Sequence, residues 1–109
     1  MNKQSIFLVV MVTAKNTEEA RAIADGLLNE RLVACANIVD RVQSRFWWQG
    51  RVDDAQETLL LLKTKSDLFE QVITKVKSLH SYDTPEIIAL PIYAGSDDYL
   101  NWINASVTK

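Results

Sequence analysis

The segment His80-Ser81-Tyr82-Asp83-Thr84-Pro85-Glu86 sets the chain's only histidine six positions before a carboxylate, on what reads as a single loop. A neutral imidazole and a carboxylate so placed can converge on a borderline ion such as Cu(II) or Zn(II), which accepts nitrogen and oxygen ligands. Two ligands do not make a tight site. The expectation is weak capture of Cu(II) or another divalent metal, with no obligatory cofactor. The same two residues also suit structural work, His80 closing a helix C-terminus and Glu86 accepting from loop amides. Cys35, the only cysteine, is the third candidate metal ligand. Between Ala34 and Ala36 it packs equally well as a small hydrophobe.

A second set, Lys63, Tyr82, Tyr93 and Trp48, suits a small anionic ligand, because a cationic amine and phenols give charge-assisted hydrogen bonds. It forms only if another subunit brings its aromatic residues over the edge where Lys63 sits. Otherwise Lys63 snorkels from the end of a strand. Catalysis has no comparable support: the chain holds no glycine-rich phosphate loop, nucleophile elbow or HExxH. Thr13-Ala14-Lys15-Asn16 stands where a copper chaperone of this layout wants CxxC. Asp40, Asp53 and Asp54 read as solvated hairpin charges. No enzymatic activity is expected.

The elements that must position these residues follow from local pattern. Ile6 to Val12 is a continuous apolar run rich in β-branched residues, as in a strand covered on both faces. Asn16 offers a helix N-cap with Glu19 three residues on, and Ala20, Ile23, Ala24, Leu27 and Leu28 then recur at helical spacing. A second strand runs from Ala34 to Trp48, its even positions (Ala36, Ile38, Val42, Phe46, Trp48) assigned to one face and its odd ones (Cys35, Asn37, Arg41) to the other. Gln49-Gly50 turns the chain. A third strand returns from Asp53 to Thr64, and its Leu59-Leu60-Leu61-Leu62 run should be buried on both faces. Ser66 is expected to cap a second helix carrying Leu68, Phe69, Val72, Ile73, Val76 and Leu79. A fourth strand spans Ile87 to Ala94, where Pro91 demands an edge. Ser96 caps a last short helix.

The order βαββαβ plus a C-terminal helix is the α+β, ferredoxin-like split sandwich, with right-handed crossovers giving sheet order 4-1-3-2. Both main helices then cover one face, leaving apolar surface on strands 1 and 3 that marks an interface. The ribbon of strands 2 and 3 deepens this. Fifteen extended residues span about 50 Å, against a diameter of about 35 Å for a compact domain of this size. Its tip, Phe46-Trp47-Trp48-Gln49-Gly50, therefore reads as an arm that packs on another copy in a closed cyclic assembly.

The chain has 109 residues, 48% apolar and 24% charged, which fits one domain over residues 1–109 and excludes a disordered chain. A net charge of −2 argues against general affinity for nucleic acid or an anionic membrane. One cysteine, no bilayer-length apolar run and no leader-like N-terminus together give a cytoplasmic expectation.

From about Ile6 to Val107 the chain resembles the CutA divalent-cation-tolerance proteins. The blocks that carry the resemblance are Val12-Thr13-Ala14, Leu32 to Asn37, Phe46 to Gly50, Leu62-Lys63-Thr64, Tyr82 with Thr84-Pro85-Glu86, and Tyr99-Leu100-Asn101-Trp102. It implies a homotrimer of ferredoxin-like subunits with interlocking ribbons, and a role in tolerance of divalent metals, copper above all. It also implies an architectural similarity to the PII signalling proteins, whence an alternative role as a small-molecule sensor; a structural trimeric scaffold is a third reading. Ser81 replaces the family's usual proline after the histidine, and Val12 and Leu79 stand where some relatives carry a further cysteine and histidine.

Overall fold

The computed structural model describes residues 5–107. Along the chain these form β1 (Phe7–Ala14), α1 (Thr17–Asn29), β2 (Cys35–Trp48), β3 (Arg51–Lys65), a 3-10 turn (Ser66–Leu68), α2 (Phe69–Leu79), β4 (Ile87–Pro91) and α3 (Asp97–Ser106). The sheet order is β2-β3-β1-β4 with every neighbouring pair antiparallel. This is the expected ferredoxin-like sandwich. The apolar strands β1 and β3 lie in the centre, and Pro91 falls on an edge strand, where its missing N–H costs no ladder bond.

Strand alternation decides where the core sits. Leu8, Val10, Val12 and Ala14 of β1 face Leu60 and Leu62 of β3, and α1 and α2 close over them with Ala20, Ile23, Leu27, Val72 and Val76. Asn16 starts α1 by accepting the Glu19 amide at 2.8 Å. The Glu19 carboxylate does not return to the cap. It accepts from the Lys15 amide at 3.1 Å and from the Ser81 amide at 2.9 Å, tying the loop after α2 to the start of α1. Gly26 allows α1 to approach α2, since a Cβ there would meet Leu79 Cδ1 at 2.7 Å.

The odd positions of β1 and β3 make the opposite face. Rungs Leu90–Val9–Lys63–Cys35 and Ile88–Met11–Leu61–Asn37 cross all four strands. Ile88 and Leu90 are 49% and 51% exposed, and Val9, Met11, Leu59 and Leu61 are only half-buried. Two-faced burial of these strands is thus not achieved within one chain. Only α3 reaches this face, at its far end: Asn104 accepts from Lys65 Nζ at 2.6 Å, and the Tyr99 hydroxyl meets Cys35.

Three expectations change. Ser66 does not cap α2; it opens the 3-10 turn and its Oγ accepts the Ile6 amide at 2.9 Å. The fourth strand ends at Pro91 rather than Ala94. The largest change is in β2, where alternation breaks between Val39 and Val42 at a bulge with Arg41 at φ +62°. Hydrogen bonds from Thr17, from the Arg41 amide at 2.8 Å and from Thr58 Oγ1 at 3.2 Å hold the Asp40 carboxyl below its ordinary pKa. Asp40 is therefore the pin of the bulge, not an idle surface charge. Beyond it Val42, Ser44, Phe46 and Trp48 join the face of Cys35, Asn37 and Val39, so the even positions do not share one side. Ala36 and Ile38 alone keep to the helix side.

The ribbon ends in a tight turn with Gln49 at φ +51° and Gly50 at φ +82°, the two left-handed residues a type I′ turn requires. The principal extents of 43 × 27 × 25 Å show the ribbon projecting along one axis. Two substitutions separate conformational from packing terms. A Cβ at Gly50 meets nothing within 4 Å, so Gly50→Ala should cost about 1–2 kcal/mol through backbone strain alone. Leu62, fully buried, should cost about 2–5 kcal/mol on replacement by Ala. Urea unfolding of both variants should place Leu62→Ala clearly lower; the reverse order would contradict this account.

Candidate functional site

His80 leaves α2 in extended conformation, at φ −89° and ψ 143°, and its ring turns inward until none of the side chain is exposed. Nε2 lies 2.7 Å from the Thr13 carbonyl, which can only accept, so the proton sits on Nε2. Nδ1 then carries the lone pair, which accepts the Tyr82 amide at 3.1 Å. Both ring nitrogens are occupied in this neutral tautomer. Glu19 Oε2 lies 3.8 Å from Nδ1, with no proton between the two atoms. Burial pushes the Glu19 carboxyl up, but hydrogen bonds from Ser81 and Lys15 outweigh it and hold the group below its ordinary pKa.

Tyr82 follows on the same loop, its ring tilted against the imidazole with centroids 4.7 Å apart. Its hydroxyl donates to Glu57 Oε2 at 2.9 Å. Burial first, then the Glu57 bond and charge, push the phenol up to about 12, so it stays a donor at neutral pH. Glu57 is only 8% exposed and sits on the same face of β3 as Leu59 and Leu61. It lies between a small cavity beside Asp40 and a larger groove of about 890 Å³.

That groove is the candidate site. Its floor is the ribbon face re-aimed by the bulge, with Phe46, Trp48, Asp53 and Glu57, and its wall is the loop of Tyr82, Asp83 and Glu86. Carboxylates dominate it. The one cation on its rim, Arg45, is 2.8 Å from Asp54 and so largely neutralised.

The structure divides the residues predicted to act together. Trp48, Tyr82 and Glu86 line the groove, with His80 buried beneath the loop. Cys35 and Lys63 are cross-strand partners on the rung of Val9. Val9 lies four residues from Thr13 on β1, about 13 Å at the usual strand rise. One chain therefore does not bring Cys35 to His80 and Glu86. Asn37 accepts from Lys63 and lies 3.7 Å from Cys35 Sγ, so both are engaged where they stand. Tyr93 is fully exposed just beyond β4, toward the Lys63 end and away from Trp48 and Tyr82. Among the described residues no three His, Cys, Asp or Glu side chains stand close enough to hold a metal ion. Sequence reasoning missed Glu19, Glu57 and the Thr13 carbonyl. Glu57 did leave a signal, a carboxylate in alternation with Leu59 and Leu61.

Comparison with known proteins agrees with this fold. The family model described as CutA1 divalent ion tolerance protein matches residues 8–106. The chain is 48% identical over 95 residues to the divalent-cation tolerance protein CutA of Thermus thermophilus, across 87% of this chain and 92% of that protein. It is 42% identical over 102 residues to the chloroplastic protein CutA 1 of Oryza sativa subsp. japonica, covering 94% of this chain but spanning only 58% of that protein's length. The solved divalent cation tolerance protein (Cut A1) from Thermus thermophilus superposes with a TM-score of 0.93 at 45% identity, over 94% of this chain and 100% of that one. With strand order, ribbon and sequence all in agreement, the chain belongs to the CutA1 divalent ion tolerance protein family.

Proposed function

We propose that this chain supports tolerance of divalent cations as a cytoplasmic homotrimer that contacts a divalent metal, copper foremost, weakly and without an obligatory cofactor. The observation that carries this reading is the groove's carboxylate excess, with Asp53, Asp54, Glu57, Asp83 and Glu86 set against Arg45 alone. Oxygen donors in a shared concavity attract divalent cations, and their spread keeps affinity low. Glu86, exposed on the groove wall, is the contact this reading assigns to an incoming ion. His80 Nδ1 joins only by releasing the Tyr82 amide, an exchange that weakens the site further. Cys35 joins only from a neighbouring copy.

Assembly has its own support. The half-covered apolar sheet face and the exposed tip, with Trp47 75% exposed, are surfaces that a second and third copy would bury. A small anionic ligand, as in a PII-like sensor, finds repulsion rather than attraction in this groove, and Lys63 and Tyr93 lie at the other end of the sheet. Among the described residues no helix is long and apolar enough to cross a membrane. The Thermus thermophilus relative carries the name of a divalent-cation tolerance protein, and no catalytic step is proposed.

Three measurements test this reading. Calorimetric titration should show weak Cu(II) binding that falls several-fold in Glu86→Gln and in His80→Ala; binding unchanged in both variants would remove the groove from the account. In sedimentation, the protein should run at three times its 12.4 kDa chain mass, and Leu61→Asp should shift it to the single chain. The Tyr82 phenol has a folded pKa raised to about 12, above its unfolded value of about 10. Its contribution is therefore fully present below pH 10 and lost as pH rises through the folded pKa. Tyr82→Phe should flatten the fall in stability over that window and lower stability at neutral pH, where the bond to the Glu57 carboxylate is intact.

A further inference from the structure

Burial does not choose the register of the outer ribbon. Residues 45–54 are all exposed within one chain, and a strand that buries neither face specifies its pairing weakly. The choice falls to the bulge. Val39 pairs with Leu59 and Val42 with Glu57, so Asp40 and Arg41 together stand opposite Thr58. Continuing the inner pairing without that extra residue would set Gln43 against Ala55, Arg45 against Asp53, Phe46 against Val52 and Trp47 against Arg51.

This second register is stereochemically complete. It leaves Trp48-Gln49-Gly50 as a three-residue loop with glycine last, the position at which such hairpins take a left-handed residue. Gly50 already stands at φ +82°. The slip also releases Arg41 and Gln49, the two left-handed non-glycine residues of the ribbon, at φ +62° and +51°. Its facing pairs are favourable ones: arginine against aspartate, phenylalanine against valine, tryptophan against arginine. The observed register therefore needs something to hold it.

We infer that the Asp40 carboxylate is a register lock, without which the outer half of β2 slips by one residue along β3 and turns over. Asp40 accepts from the Arg41 amide at 2.8 Å and from Thr58 Oγ1 at 3.2 Å, and it is bonded by Thr17 at the start of α1. Thr58 is 1% exposed and pairs with Ala14 at the last rung that β3 shares with β1. The lock thus sits where the ribbon leaves the core and is fastened to three elements at once. Slipping exchanges the faces of the two tryptophans, because a shift of one residue inverts every side chain beyond it. Phe46 and Trp48 leave the face of Val9, Met11 and Leu61, and Arg45 and Trp47 replace them. The lock decides whether the ribbon carries that apolar face outward or ends it in charge.

The test is disulfide trapping within the chain, on assembled protein that carries Cys35→Ser and has been refolded from urea so that each ribbon selects its register afresh. Ser44→Cys with Ala55→Cys places two thiols directly opposite in the observed register. Gln43→Cys with Ala55→Cys places them on opposite faces now, and side by side only after the slip. With Asp40 present, the first pair alone should close. Asp40→Ala should raise closure of the second pair about tenfold or more, the scale of a lost hydrogen bond to a charged group. Adding Arg41→Gly, which removes the cost of a left-handed side chain, should return the Asp40→Ala chain to the first pair, a rescue that general loosening of the fold does not produce. Asp40 is exposed, so its truncation leaves the core intact. Closure of the second pair no higher in Asp40→Ala than with Asp40 present overturns the proposal, and so does an Arg41→Gly chain that fails to shift back.

Discussion

The two-residue irregularity at Asp40-Arg41 controls what this molecule can present to a partner. Without it, β2 would alternate uniformly and the aromatic residues of the ribbon would follow Ala36 and Ile38 onto the helix side. Arg41, held left-handed by the Asp40 carboxylate and its bonds from Thr17 and Thr58, rotates the outer half of β2 onto the other face. Phe46 then meets Asp53 across the ladder, with Trp48 opposite Arg51, Ser44 opposite Ala55 and Val42 opposite Glu57. The groove exists because the strand changes sides. A left-handed non-glycine residue costs roughly 1–2 kcal/mol, and three hydrogen bonds to one carboxylate are enough to hold it.

Much of the architecture was legible because the relevant signals are local. Continuous apolar runs in β1 and β3, proline in β4, Asn16 and Ser96 at helix starts and Gln49-Gly50 at the turn each report their own backbone. The bulge was not legible in the same way. Asp40-Arg41 has no glycine, and Val42 looks apolar in either register, so periodicity alone runs straight through it. Ser66 shows the other limit: a good capping residue was taken by a tertiary acceptor role toward Ile6, a contact about sixty residues distant in sequence.

The candidate residues could be picked out by chemistry, but their grouping could not. Tyr82, Trp48 and Glu86 line one groove, because the loop after α2 and the ribbon flank the same end of β1. Cys35 and Lys63 were assigned to that company by residue chemistry, while the register sets them beside Val9 at the other end. His80 carried a metal-ligand reading because imidazole is versatile, yet its two nitrogens are used to fasten the loop to Thr13 and Tyr82. In this chain the histidine shapes the groove from behind, and the carboxylates face it.

The short β4 also limits how this domain could add to a foreign strand. Its five residues end in Pro91, which has no amide to offer, while β2 at the opposite edge leaves fourteen residues unpaired on one side. The kink at Arg41 interrupts the β2 border near its middle, and the outer half of β3, beyond its pairing with β1 at Thr58, leaves a further open stretch on its other side. A fully exposed ribbon of this length would otherwise invite cross-β growth; here the kink divides the β2 border into two short, differently oriented stretches.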